Sequence, residues 1–178
     1  MRSQIEFHEA TYSEISEIVD LVQSAYRGDT SRAGWTTEAD LLEGQRVDAA
    51  MVQEIIDREQ SIVLVATIDG RMASCCELTH RPDRGEVYLG MFAVDPSLQA
   101  SGLGRQVLAR AEQIAAQRWS ARRMALTVID LRTELIAWYE RRGYERSGGT
   151  GDFPYGDERF GLPLRADLRF VELIKVIN

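Results

Sequence analysis

Histidine and cysteine are scarce in this chain, with two of each among its 178 residues. The histidines, His8 and His80, sit in no ligand cluster, and no Cys/His spacing matches a zinc site, so no metal is expected. Few histidines also means few candidate bases, which disfavours a Ser-His-Asp or Cys-His enzyme. The cysteines are neighbours, Cys75 and Cys76. On a strand their side chains point to opposite faces, and a disulfide between them is geometrically poor. They read as small packing residues of a protein in a reducing compartment. No run of about 18 apolar residues occurs, so no transmembrane helix is expected. The start, MRSQIEFHEATYSE, lacks the apolar core of a signal peptide. The expectation is a cytoplasmic protein that engages no membrane. An excess of positive charge is missing too: the formal net charge is −7. That argues against nucleic acid as the main partner and fits a cationic or amine partner weakly. Repeats, low-complexity segments and linkers are absent. Length and composition fit one domain over residues 1–178, large enough for a sizeable core.

What is present is a clear alternation of elements. Gln4 to His8 reads as a short strand. Thr11-Tyr12-Ser13-Glu14 is a capping box, followed by a helix with Ile15, Ile18, Val19, Val22, Ala25 and Tyr26 at helical spacing. Arg27 to Trp35 reads as a loop. Thr36 to Leu42 and Asp48 to Arg58 read as helical pieces. Ser61 to Ile68, Arg71 to Thr79 and Glu86 to Val94 read as strands, the first two joined by an Asp69-Gly70 hairpin turn. Asp95-Pro96 ends the third. A helix opens at Gly102, with Leu103, Val107, Leu108, Ala111, Ile114 and Ala115 on one stripe. Arg123 to Ile129 is a strand, Thr133 to Arg142 a helix stopped by Gly143, and Tyr144 to Ser147 a strand. Gly148 to Gly161 reads as a glycine-rich loop and Asp167 to Ile177 as the last strand. This order predicts an α/β fold with a mixed, mostly antiparallel central sheet of about seven strands flanked by helices.

The stretch LQASGLGRQVL, Leu98 to Leu108, places two glycines between a strand and a strongly periodic helix. The first N–H groups of a helix lack internal partners and carry partial positive charge. Glycines there let a phosphate approach the backbone. A plain strand-to-helix connection remains the alternative. A dinucleotide fingerprint or a nucleotide P-loop does not fit, because neither required pattern is present.

At this point the sequence resembles a known family. Gln99-Ala100-Ser101-Gly102-Leu103-Gly104 is similar to the Q/R-x-x-G-x-G/A pattern of the GNAT superfamily of acetyl-CoA-dependent N-acetyltransferases. The flanks MFAVDP and RQVLARAEQIA match as well. AWYERRGYERSG resembles the last core motif of that superfamily, and the order of elements agrees over residues 1 to 178. The resemblance implies that backbone N–H groups from Gln99 through Ala100, Ser101, Gly102, Leu103 and Gly104 to Arg105 hold the pyrophosphate of CoA. It implies that Phe92, Ala93 and Val94 pair with the pantetheine arm, and that an N–H near Phe92 polarises the thioester. Tyr139 matches the tyrosine that protonates the departing thiolate, a role its chemistry suits; it could instead pack with Leu135 and Ile136. Many relatives carry Asn where this chain has Arg132, which either reaches a CoA phosphate or is a solvated residue at a helix start. The resemblance also implies a homodimer, with the edge of the last strand as a candidate interface.

Candidate bases are Glu86 and Glu77, since buried carboxylates can be tuned towards neutrality. Either could be a solvated strand residue, with ordered water as the base. The resemblance puts the acceptor site in RGDTSRAGWTTEADLLEGQR and GGTGDFPYGDERFGLPLR. Trp35 and Tyr155, with Phe153, Asp157, Glu158 and Phe160, suit a cationic amine. The reading is N-acetyl transfer from acetyl-CoA to a primary amine of a small molecule by direct attack in a ternary complex. The alternatives are acetylation of a protein N-terminus or lysine, a non-catalytic CoA-binding module, and a larger acyl donor.

Overall fold

The computed structural model describes residues 4–178. Its elements are, in order, β1 (Ile5–Glu9), α1 (Ile15–Tyr26), α2 (Gly28–Ser31), β2 (Leu42–Glu43), α3 (Ala49–Asp57), β3 (Ser61–Ile68) and β4 (Arg71–Arg81). They continue with β5 (Glu86–Val94), α4 (Leu103–Trp119), β6 (Arg123–Ile129), α5 (Thr133–Glu140), β7 (Glu145–Asp152), β8 (Leu162–Pro163) and β9 (Arg169–Val176). Seven strands form one sheet in the order β1-β3-β4-β5-β6-β9-β7. Every pairing is antiparallel except β5 with β6. The mixed, mostly antiparallel sheet is therefore as the sequence pattern implies. A separate two-stranded ribbon joins β2 to β8.

The sheet carries apolar residues on both faces, because helices cover both. On one face α4 and α5 pack over Leu64, Ala66, Cys76 and Leu78. On the other α1 and α3 pack over Val63, Val65, Cys75 and Met91. Adjacent Cys75 and Cys76 thus enter opposite layers; both are free and fully buried. Burial pushes the Cys75 thiol up to about 12, so these thiols pack as apolar groups. In the β3–β4 turn Asp69 and Gly70 both adopt positive φ, 51° and 76°, as a type I′ hairpin requires.

Four local readings change. Arg27 to Trp35, read as a loop, holds one helical turn, α2 at Gly28–Ser31. Thr36 to Leu42 is not helical: the Thr37 hydroxyl accepts from the Ala39 N–H at 3.1 Å, Glu38 turns inward, and Leu42 enters the ribbon. The strand read at Tyr144 to Ser147 runs on to Asp152 as β7, because β9 supplies a ladder partner and a register shift absorbs Gly148 and Gly149. The last strand is not an edge. β9 lies between β6 and β7, and the free edges belong to β1 and β7.

Glu86 sits at the start of β5, paired in register with Arg81 on β4 and Arg123 on β6. Its carboxylate is 2% exposed and lies 3.1 Å from Arg123, 3.4 Å from Arg81 and 3.5 Å from Arg84. Three cations around one buried carboxylate fasten the β4–β5 turn to β6. Breaking a fully buried pair costs about 3–5 kcal/mol, but these arginines are partly exposed, so the cost here is discounted to about 2 kcal/mol. Glu86→Gln is expected to lower the unfolding free energy by that amount in urea, with turnover per folded molecule unchanged. A stable variant that has lost turnover would instead make Glu86 catalytic.

Candidate active site

The site begins with a failure of strand pairing. β5 and β6 pair only over Glu86–Tyr88 against Arg123–Ala125. Beyond that they diverge, and among the described residues no strand pairs with the β6-facing edge of β5 from Leu89 to Val94. At the same place the β4–β5 register shifts between Cys75/Glu77 and their partners Ala93/Gly90. The bulge seats Met91 at φ +48°, a left-handed conformation that a long side chain rarely adopts. Such strain, about 1–3 kcal/mol, persists where surrounding structure enforces it. The hydroxyl of buried Tyr26, at the end of α1, donates to the Phe92 carbonyl and ties the bulged segment to the helix beneath it.

Two cavities flank this gap. The first, about 530 Å³, runs between the β5–α4 turn and α5. Phe92, Val94, Gln99, Gly102 and Gly104 line one wall; Leu135, Trp138, Tyr139 and Arg142 line the other. Within the turn Ala100 and Gly102 take positive φ, +66° and +88°. Gly102 is needed for this conformation rather than for space, since a Cβ there meets nothing within 4 Å. The N–H groups of Gly104 and Arg105 have no backbone acceptor among the described residues; the first helix-closing bond is Gln106 N–H to Gly102 O, 3.3 Å. They open the 17-residue helix α4. The Gln99 side chain is held by its neighbours in the cavity wall. Its oxygen accepts from the Trp35 N–H at 2.8 Å and its nitrogen donates to Thr36 Oγ1 at 2.8 Å and Val94 O at 3.1 Å. It latches the turn to the segment after α2.

Three guanidiniums, of Arg105, Arg141 and Arg142, border this cavity. None has a carboxylate partner among the described residues. Arg142 stacks 3.7 Å over the Trp138 ring, donates to the Trp138 carbonyl at 2.7 Å, and keeps a buried Nε without a partner. Burial, with Arg141 and Arg105 nearby, lowers its hold on the proton. Unpaired cations beside free helix N–H groups make an anion site.

The second cavity, about 340 Å³, opens on the opposite side of the gap. Gly90, Met91 and Phe92 of β5 and Leu126 to Ile129 of β6 form its floor, with Phe153, Phe160 and Phe170 on its wall. Glu77 lines it from β4. Glu77 Oε1 accepts from Thr79 at 2.7 Å and faces Arg58 at 3.4 Å. Its Oε2 lies over Gly90, where an added Cβ would sit 2.8 Å from it. A side chain at that position would displace the carboxylate. Glu38 is buried between Arg27 and Arg132, which lies 2.8 Å from Glu38 Oε1.

Tyr139 lines both cavities, as do Phe92, Tyr26 and Leu135. Its ring packs in the core against Trp138, 5.0 Å between centroids, and Tyr144, 5.4 Å. Its hydroxyl has no hydrogen-bond partner among the described residues. Burial raises its pKa well above the ordinary 10.0, so the phenol stays protonated. A long ligand in the first cavity and a small one in the second would meet beside this hydroxyl.

A family model described as Acetyltransferase (GNAT) family matches residues 17–144. The chain belongs to the GNAT acetyltransferase family. No curated protein matches the sequence. Solved structures share the fold. The ribosomal-protein-S18-alanine N-acetyltransferase from Escherichia coli is 17% identical with a TM-score of 0.71, covering 98% of this chain and 95% of its own. IAA acetyltransferase from Bacillus cereus ATCC 14579 is 14% identical with a TM-score of 0.66, covering 98% and 100%. Nourseothricin acetyltransferase is 19% identical with a TM-score of 0.58, covering 67% of each chain.

GNAT enzymes are acyltransferases that use acetyl-CoA, and the first cavity suits it: free N–H groups and unpaired arginines for a diphosphate, then an unpaired strand edge for an amide-bearing arm. The residues singled out from sequence divide between this GNAT site and elsewhere. Phe92, Val94, Gln99, Ala100, Gly102, Gly104, Arg105, Trp35 and Tyr139 border the first cavity, and Glu77 the second. Trp35, expected at the acceptor, borders the first cavity. Glu86 borders neither; six residues along β5 put it about 20 Å from Phe92. Tyr155 is outside too, its hydroxyl donating to Arg165 O and accepting from Leu168 N–H. Arg132 is neither at the phosphate turn nor solvated: Glu38 and the Thr36 carbonyl hold it, because buried Glu38 requires cations. Sequence reasoning missed Tyr26, Arg27, Glu38, Arg46, Trp138, Arg141 and Arg142. Arg27, Glu38 and Arg46 lie in the segment expected at the acceptor, and Trp138, Arg141 and Arg142 in the tyrosine motif, but none was singled out.

Burial alone would raise the Glu38 carboxyl, but Arg132 and Arg27 hold it below its ordinary 4.5. A carboxyl held lower in the folded state contributes stability above 4.5 that is lost as pH falls through the folded-state value. Glu38→Gln is expected to cost about 3 kcal/mol at neutral pH. The gap to wild type should narrow as the medium is acidified below 4.5, read from urea midpoints. A gap independent of pH would mean that the ion pairs add nothing.

Proposed function

We propose that this GNAT protein transfers an acetyl group from acetyl-CoA to the primary amine of a small molecule, by direct attack while both are bound. The observation that carries this reading is the meeting of two cavities at one gap in the sheet. The long cavity ends where the small one begins, beside Phe92 and Tyr139. The acceptor cavity, about 340 Å³ with an aromatic wall, has the size of a small-molecule pocket rather than of a groove for an extended chain. The ribosomal-protein-alanine enzyme among its structural neighbours shares the fold, and likeness at 17% identity does not carry its acceptor over.

Acetyl-CoA supplies an activated acetyl thioester. The N–H groups of Gly104 and Arg105, with the Arg105, Arg141 and Arg142 cations, bind the diphosphate. The free edge of β5 at Phe92–Val94 pairs with the pantetheine arm and sets the thioester in the gap. An N–H of the bulged segment near Phe92 stabilises negative charge developing on the carbonyl oxygen. Glu77 Oε2, over Gly90, receives the amine proton directly or through water. The C–N bond forms, the C–S bond breaks, and Tyr139 gives its proton to the leaving sulfur. Burial keeps the Tyr139 phenol protonated until then. Arg132 acts away from the thioester, orienting Glu38.

Tyr139→Phe tests the reading. General acids contribute about 10²–10⁴ in rate, so kcat on a reactive amine is expected to fall about 100-fold. Calorimetric affinity for acetyl-CoA and the unfolding midpoint should not move, since the hydroxyl has no protein partner. Undiminished kcat would remove Tyr139 from the chemistry. Failure of acetyl-CoA to bind wild type would overturn the transferase reading.

A further inference from the structure

The acceptor cavity is unexpectedly cationic. The chain as a whole carries a net charge of −7, yet the charged residues lining this cavity are Arg27, Arg46, Arg132, Glu38 and Glu77. Both oxygens of Glu38 are already engaged, Oε1 by Arg132 and Oε2 by Arg27. Glu77 Oε1 is engaged by Arg58 and Thr79. Arg46 is left over. It is half-buried, and its guanidinium makes no hydrogen bond and has no carboxylate partner among the described residues. It lies 5.5 Å from the centroid of the Tyr26 ring, and Arg132 lies 5.5 Å from the same ring. A guanidinium without a carboxylate partner in a pocket offers a ligand's oxyanion a two-pronged donor.

The asymmetry also has a direction. Arg46 lies over the Tyr26 ring, whose hydroxyl reaches the Phe92 carbonyl at the gap. Glu77 Oε2 lies at the gap end, over Gly90. One end therefore suits a protonated amine that must lose its proton, and the other suits an oxyanion. The aromatic and acidic residues of the 148–161 segment do not offset this. Asp157 turns away to Arg159, 2.7 Å, while Phe153 and Phe160 contribute only apolar wall.

We propose that the acceptor is a small zwitterion of amino-acid type: a primary amine carrying a carboxylate a few bonds away, the carboxylate bound by Arg46. This rests on the acetyltransferase reading and narrows its substrate class. Arg46 is a binding residue here. It sets which amines enter and how they point, while the transfer itself is unchanged: C–N forms, C–S breaks and the sulfur takes the Tyr139 proton.

The test uses L-amino acids, their primary amides and simple alkylamines as probes. Release of the CoA thiol is followed at saturating acetyl-CoA for wild type, Arg46→Gln and Arg46→Lys. Sites built for a polar group discriminate strongly against analogues lacking it. Because Arg46 is only half-buried, wild type is expected to favour an acid over its amide by about 10–100-fold in kcat/KM. Arg46→Gln should pull that ratio towards one, through a raised KM for the acid and a steady kcat. Arg46→Lys should restore part of it. An unchanged KM for acetyl-CoA shows that the variants are folded. Amides or alkylamines favoured by wild type would overturn this proposal and leave the transferase reading standing, as would an acid-to-amide ratio indifferent to Arg46. Acetyl-CoA binding without turnover of any probe would overturn both.

Discussion

The β5 strand is asked to do two incompatible things. Along one edge it stays with β4 from Arg81/Glu86 to Ser74/Val94. Along the other it leaves β6 after Tyr88. An unpaired edge inside a sheet exposes backbone donors and acceptors that are costly to leave unmatched. This molecule manages the cost by bulging β5 at Met91 and by lending the Tyr26 hydroxyl to Phe92 O. The remaining edge faces a cavity on each side. Everything attributed to the site follows from that divergence. In the proposed reaction the divergence of β6 would leave the slot for the thioester, and the two ligands would meet in it.

The second constraint is electrostatic. Glu38 belongs to the irregular segment between α2 and β2, which has little regular structure of its own to fix it. Arg27 approaches from the end of α1 and Arg132 from the start of α5. Their shared carboxylate therefore joins three parts of the chain in the lining of the second cavity. Buried ion pairs are weak contributors to net stability, and costly once one member is removed. Their value here is positional: they hold the acceptor cavity against the cofactor cavity at Tyr26 and Tyr139.

Much of this was legible in the residues. Alternation and β-branched runs marked β3, β4, β5 and β6, and Asp69-Gly70 marked its hairpin. Gln99 to Gly104 marked the turn that opens α4. Each of these signals is local, set by the conformations that neighbouring residues permit. What stayed hidden was non-local. Glu86 looks like any strand carboxylate until Arg81, Arg84 and Arg123 gather around it from two other segments. The Thr36 to Leu42 stretch has helical spacing, but burying Glu38 against Arg27 and Arg132 outweighs that propensity. Gly148 to Asp152 is poor strand sequence that forms a strand because β9 is beside it. The cationic character of the acceptor cavity arises from Arg27, Arg46 and Arg132, which no short window contains together. The segments expected to build that cavity do border it, through Glu38, Arg46, Phe153 and Phe160 rather than through Tyr155, Asp157 or Glu158.

The central claim is that a gap between β5 and β6 joins a cofactor cavity to an acceptor cavity at Phe92 and Tyr139. A crystal structure of the complex with CoA tests it most directly. The account predicts the diphosphate on the N–H groups of Gly104 and Arg105, the arm along Phe92–Val94, and the sulfur within hydrogen-bond reach of the Tyr139 hydroxyl. CoA bound with its sulfur away from that gap, or with β5 and β6 closed together over it, would contradict the account.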